Sequence, residues 1–541
     1  QARPDWMIKG CRRLSHMSAA PPLRVWMEGL SMFSRRLFLA SSGAALWVPK
    51  LANAQNGKQH FTLGVASGSP RPSSVILWTR LAPNPLQGGG MPSGVAQVRY
   101  RVCTDEEMRK TLMDGIATTA EDKAHSVHVR IEGLRPGREY FYQFYYGDEE
   151  SPGGRTRTSS PDDDSARIAL AYCQHYESGH YAAYRDLAEW VPDCVVHTGD
   201  YIYEGGISPL GARMRDVGGG ERRLFETVRQ HNSDEITTLW DYRNRYALYR
   251  SDPHLQAAHA IAPWIVAMDD HEVDNNWASN TPQDPEKQTQ LEFQVRKYAA
   301  FKAYYEHMPI EEPPTLRDMR PALKLYNKYV FGPAQIHLLD TRQFRSDQPC
   351  GDGRKPLCSD ATDPARTMLG AEQEAWLSRE LKQSSSAFNV IATQTWFTPY
   401  RYNAPPDGPV TNVDSWDGYP AARNRLSSVL ANDVSSPVFL TGDWHTAMAS
   451  TLYEKPFDPT SKRIGHELVG GPISSGCPWA RDMEVMRSAN PHVSHLNGQQ
   501  RGYLRATFTS DNCHGEFRVV EDAGRANSPV FTDIEIRTKD I

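Results

Sequence analysis

At 541 residues the chain is too long for one ordinary domain, and length alone suggests roughly three. The 60 basic and 65 acidic residues leave a net charge of −5, which argues against a basic nucleic-acid-binding face and against an acidic disordered tail. Abundant Trp, Tyr, Pro and Gly favour strands and shaped loops over a helical bundle, and past the leader no apolar run of about 18 residues suggests a membrane span.

In chain order, residues 1–31 read as extra upstream sequence, and Met32 stands where a signal would begin. Arg35 and Arg36 precede an apolar stretch from Leu37 to Val48, and Ala52-Asn53-Ala54 has the small-x-small form of a cleavage site. Residues 32–54 therefore predict a twin-arginine signal peptide, export through the twin-arginine machinery and a periplasmic or secreted mature protein. Such a compartment is oxidising. Cys350 and Cys358 flank a short polar loop and could close one disulfide, and Cys477 and Cys513 could form a second; sequence leaves the connectivity open.

Residues 55–160 read as an N-terminal β-sandwich of fibronectin type, with strand candidates at 75–79, 96–102 and 140–144. A polar linker, Ser160 to Ser165, follows. From 166 to 541 the pattern becomes α/β. Apolar runs at 168–172, 194–197, 264–268, 336–339, 390–392 and 438–440 alternate with helices such as 181–190 and 372–381. Such runs predict a sheet buried on both faces. A long insertion at 205–260, with Gly218-Gly219-Gly220 and an Arg-rich helix over 239–249, predicts a lid or rim.

Four of these apolar runs end in polar clusters: Cys173-Gln174-His175, Gly199-Asp200-Tyr201-Ile202-Tyr203-Glu204, Asp269-Asp270-His271-Glu272-Val273-Asp274-Asn275-Asn276, and Gly442-Asp443-Trp444-His445. Binding groups of α/β sheets gather at the C-terminal ends of strands. Carboxylates, imidazoles and a thiol there point to a metal centre.

The order of these clusters, together with Asp414-Ser415-Trp416-Asp417-Gly418-Tyr419, resembles the alkaline phosphatase D (PhoD) family of the calcineurin-like metallophosphoesterase superfamily. The resemblance runs from Gly64 to Tyr503. It implies a metallophosphoesterase core, a β-sheet flanked by helices, following the sandwich domain. It also implies that Asp200 bridges two metals, with Cys173, Tyr203 and His445 on a ferric ion. Asn275, chosen over Asn276 and Asp270, and Asp443 would join Asp200 on calcium, with manganese or zinc as alternatives.

His271 either caps its loop, binds phosphate or donates the leaving-group proton, and Arg342 either pairs with Asp340 or contacts phosphate. His175, His197 and Trp277 are expected behind the ligands. The expected reaction is hydrolysis of phosphate monoesters or diesters by in-line attack of metal-bound hydroxide, without a phosphoenzyme. No Gly-x-Ser-x-Gly elbow or phosphate-cradling Gly-rich loop competes with it. A phosphodiesterase or phospholipase D preferring diesters is the enzymatic alternative. A secreted, non-catalytic binding protein is the alternative of another class.

Overall fold

The computed structural model describes residues 59–216 and 222–540. The upstream segment, the expected signal peptide and Gly218-Gly219-Gly220 lie outside the described residues. Among the described residues, no helix is long and apolar enough to cross a membrane.

The apolar runs become strands, and they build two sheets rather than the single one expected. The first is nine-stranded; its centre is the parallel trio Ala166–Ala171, Cys194–His197 and Pro263–Val266. The second is seven-stranded, with Ala334–Leu338, Phe388–Thr393, Pro437–Thr441 and Arg463–Gly470 parallel. The side-chain period of two explains how one run serves two cores. Ile168 and Leu170 face Ile336, Leu338, Val390 and Leu440 in the core between the sheets. Ala169 and Ala171 point the other way, toward helices 182–190, 253–261 and 290–307. On the outer face of the second sheet, Ile391 and Phe439 meet helices 370–382 and 420–433. Four layers result: helices, sheet, sheet, helices. A continuous apolar run announces burial on both faces, but not whether a helix or another sheet covers each face.

The N-terminal strands form a sandwich core around Val75, Leu77, Val98, Val102, Tyr142 and Phe144. One of its two layers, however, belongs to the first sheet. Val65–Gly68 pairs in parallel with Pro263–Val266, and Ser74–Arg80 and Ser126–Glu132 continue outward from it.

Two expectations fail. The helix Leu239–Arg250 is not a lid: Tyr242, Arg245, Tyr246 and Tyr249 are buried, and the helix packs against Gln290–His307. Its polar groups are satisfied inside the protein. Arg245 donates to the carbonyls of Tyr203 and Gly205, the latter at 2.8 Å, and Tyr242 donates to the carbonyl of Val273. Elsewhere in the same insertion Gly211–Asp216 and Arg222–Thr227 pair as an antiparallel hairpin, from which Arg223 donates to the carbonyl of Pro478 at 2.6 Å. The disulfide Cys350–Cys358 forms, but Cys477 and Cys513 do not pair. Cys513 lies opposite Phe508, which pairs with Ala166 at the start of its strand. Cys477 follows Gly476, which contacts His445 at the other end of the sheets.

Candidate metal centre

Strand ends from both sheets meet at one seam. Cys173, Asp200 and Asp443 each follow a parallel strand, and each has a left-handed backbone, with φ of 49°, 56° and 59°. Non-glycine residues rarely adopt that conformation, and strain of this kind collects at functional sites. Two glycines let the loops approach. A Cβ on Gly199 would lie 2.4 Å from the backbone nitrogen of Asp269, and one on Gly442 would lie 2.3 Å from Thr198 Oγ1. Glu272 fastens two of the loops together: its carboxylate accepts the backbone N–H of Asp200 at 3.1 Å, Tyr201 at 2.5 Å and Asp269 at 2.8 Å.

Around Asp200 the predicted ligands converge. Its Oδ2 lies 3.1 Å from Cys173 Sγ and 2.8 Å from the Tyr203 hydroxyl. Tyr203 Oη is 3.2 Å from His445 Nε2. His445 Nδ1 donates to the carbonyl of Gly476 at 2.8 Å, which turns the Nε2 lone pair toward the thiol and phenol. Cys173, Asp200 and His445 form one ligand-spaced group. Asp200 also belongs to a second, with Asp270 and His271, and Asp270 joins a third with Asp269 and Asp443. Asp443, which the sequence left between two assignments, thus sits beside Asp269 and Asp270, while its carbonyl accepts from Cys173 Sγ at 3.4 Å.

Asn275 is half-buried, and its backbone N–H donates to Glu204 at 2.9 Å. Asp270 is the carboxylate placed within ligand spacing of Asp200. Arg342 is not paired with the Asp340 carboxylate through its guanidinium; only its backbone N–H meets Asp340, at 3.1 Å. With its side chain 1% exposed, it holds Asp269 at 2.5 Å and Asp414 at 3.0 Å. Arg345 grips the same Asp414 at 2.6 Å. His175 lies edge-on to Tyr203, and His197 is stacked on Trp264. Trp277 is fully buried beneath Lys297.

Ser475 was missed. Its hydroxyl lies 2.8 Å from the Tyr203 hydroxyl and donates to the carbonyl of Cys173 at 2.8 Å. Nothing in a Ser-Ser-Gly loop distinguishes it, because its partners lie some 300 residues away in sequence.

The electrostatics suit a cation. Burial, then the neighbouring Asp200 and Asp443, push the Cys173 thiol well above its usual range. Burial and Asp200 do the same to Tyr203, and burial, Asp269 and Asp270 to Asp443. Asp200 Oδ1 and Asp269 Oδ2 are buried without a hydrogen-bond partner. Unpaired buried carboxylate oxygens are costly unless a positive charge faces them. The donor set of thiol, phenol, imidazole and carboxylates therefore fits metal ions. His271 behaves oppositely. Burial alone would lower its pKa, but Glu204, Asp270 and Asp200 hold the imidazolium well above its usual range, with Glu204 Oε2 2.6 Å from Nδ1.

Comparison with known proteins agrees with this architecture. The family described as PhoD-like phosphatase matches residues 168–517, and the PhoD-like phosphatase N-terminal domain matches residues 47–160. Alkaline phosphatase D of Bacillus subtilis (strain 168) is 43% identical over 470 residues, covering 85% of this chain and 77% of that protein. A solved structure described as that of PhoD superposes with a TM-score of 0.82 at 40% identity, covering 90% of this chain and 91% of the other. The chain belongs to the PhoD-like phosphatase family and is a phosphoric ester hydrolase.

Proposed function

We propose that the protein is exported by the twin-arginine route and hydrolyses phosphate monoesters or diesters at a two-cation centre bridged by Asp200. The observation that carries this reading is the convergence of Cys173, Tyr203, His445 and Asp270 on Asp200, with Asp443 joined through Asp270; Asp200 Oδ1 has no hydrogen-bond partner among the described residues. Cys173, Tyr203 and His445 would hold a ferric ion, since anionic sulfur and oxygen donors stabilise it. Asp200, Asp443 and Asn275, with Asp270 beside them, would hold calcium or another oxygen-seeking ion. When bound, such ions make water acidic enough to attack at neutral pH and neutralise the phosphoryl oxygens.

The chain's own residues supply the rest. His271, fixed by Glu204 through Nδ1, is the proton donor to the leaving group. Arg342 and Arg345 orient Asp269 and Asp414 from below. Because carboxylates already engage Arg342, it offers no free cation to the second charge of a monoester, which favours diesters. The domain limits of 55–160 and 166–541 follow the polar linker, with the sandwich shaping the scaffold rather than supplying ligands.

Elemental analysis of purified protein should find iron and a second metal, and a chelator should abolish turnover of a chromogenic phosphate ester. Asp200→Asn should lose both metals and at least about 10³-fold in kcat. Full activity in rigorously metal-free protein would overturn the mechanism. Relative rates on a chromogenic monoester and its bis-ester decide the ester class.

A further inference from the structure

The mouth of the centre is walled on the His445 side by aromatic rings and a guanidinium. Trp479 lies over His445, with ring centroids 5.7 Å apart and planes at 22°. Trp444 meets Trp479 at 5.6 Å. Arg354 closes the wall. Its guanidinium carbon stands 4.3 Å above the ring of Tyr402, 6.0 Å from that of Trp444 and 5.9 Å from that of Trp479.

The wall is anchored on several sides. Asp482 holds Arg354 at 3.5 Å and also takes Arg223 of the antiparallel hairpin. Arg354 rides on the loop closed by the Cys350–Cys358 disulfide. That loop is tied to the third polar cluster, where Asn276 Nδ2 donates to Asp352 at 2.7 Å. Trp479 is half-buried and the Arg354 side chain is 31% exposed, so both still reach solvent.

Ester hydrolysis at the centre asks nothing of these residues: they are neither ligands nor acids nor bases. A guanidinium layered on aromatic rings is a stacking surface. A planar π-system finds a matching face on such a surface and gains stacking there that a bare sugar lacks. The wall touches the ligand His445 directly, which sets it beside any ester held by the centre.

We propose that Trp479 and Arg354 form a leaving-group subsite for a planar aromatic group, such as the base of a nucleoside 5′-phosphate. The subsite rests on the hydrolase reading above and adds a substrate class to it. The test compares adenosine 5′-phosphate with ribose 5-phosphate on the metal-loaded, full-length enzyme, together with the methyl diesters of the same pair. In the monoester pair the departing oxygen is the same primary alkoxide; in the methyl diesters either ester bond can break, so only the rate of release of free adenosine or free ribose, with methyl phosphate as the other product, is counted.

In the pair that is turned over, kcat/KM should favour the nucleoside by at least about fivefold, mainly through KM. Trp479→Leu and Arg354→Gln should each bring the ratio toward one while metal content is retained. Arg354 touches no ligand, so Arg354→Gln keeps the test decisive if Trp479→Leu loses metal. A wild-type ratio near one, or a ratio that survives in Arg354→Gln, would overturn the subsite. Turnover of none of the four esters by loaded enzyme would instead overturn the hydrolase reading, and the subsite with it.

Discussion

Gly199 allows the ends of two neighbouring strands to meet. Its φ of 117°, and the 2.4 Å that would separate a Cβ at this position from Asp269, leave no room for a side chain. Gly199→Ala should destabilise the protein by about 3 kcal/mol, read from urea unfolding, and should weaken metal binding because Asp200 is the next residue. Glu272 acts in the same place through hydrogen bonds, holding three backbone N–H groups of the same two loops. Much of this site is legible in the sequence, for a physical reason. Candidate ligands leave the sheet where the strands end, so Cys173, Asp200 and His445 follow apolar runs. Left-handed backbone, the Ser475 hydroxyl and the clamp on Arg342 are not legible. Each depends on a partner brought in by tertiary folding from a remote segment, and Arg342 beside Asp340 invites a local pairing that the structure replaces with Asp269 and Asp414.

Among the elements, the helix Leu239–Arg250 shows how composition misleads. Its Tyr and Arg residues look like a wet, adjustable surface, yet Arg245 is fully buried and holds the loop that carries Tyr203. Removing it would strand several carbonyls in the interior. Arg245→Ala should cost at least about 3 kcal/mol in chemical denaturation and should lower kcat by displacing Tyr203, whereas exposed positions of the same helix, such as Trp240, should tolerate Ala within about 0.5 kcal/mol. The disulfide loop is a second case. Its pairing is local and was legible from spacing, and closing a loop of this size is worth about 2.5 kcal/mol in the chain-entropy account. The double substitution Cys350→Ser and Cys358→Ser should therefore lower stability by roughly that amount and loosen the Asp352–Asn276 contact next to the centre.

At the scale of the whole molecule, many histidines are buried in the neutral form. His307 accepts from Arg80 at Nε2, 2.7 Å away, and donates from Nδ1 to the carbonyl of Ala303 at 2.6 Å. Burial and Arg80 hold its pKa well below the ordinary 6.5. His259 is lowered in the same way by burial and Arg250, and burial and Arg463 lower His466 to about 4. The unfolded chain takes up protons on these rings below about pH 6.5, while the folded chain does not, so acid favours unfolding. Stability should be fully present near pH 7 and fall on acidification through 6.5 toward the lowered native values. His307→Gln should remove about 1.4 kcal/mol per pH unit from the slope between pH 6 and 5, measured as the difference between the two proteins. Sequence shows histidines but not their burial, and at this scale it also hides the division of one expected sheet into two.

The first sheet draws its strands from both ends of the chain. Ala166–Ala171, which leads into Cys173, is flanked on one edge by Cys194–His197 and on the other by Arg501–Phe508. During synthesis that second edge must wait for about 330 more residues, which at ribosomal speed is on the order of half a minute. For that interval an apolar strand carrying a thiol has an open side, a ready template for pairing with the wrong chain. His445 also emerges late, so on the proposed ligand assignment a nascent chain would hold only part of the cradle. Metal capture would then wait for the finished polypeptide, and a prematurely terminated product would lack both the closing strand and His445.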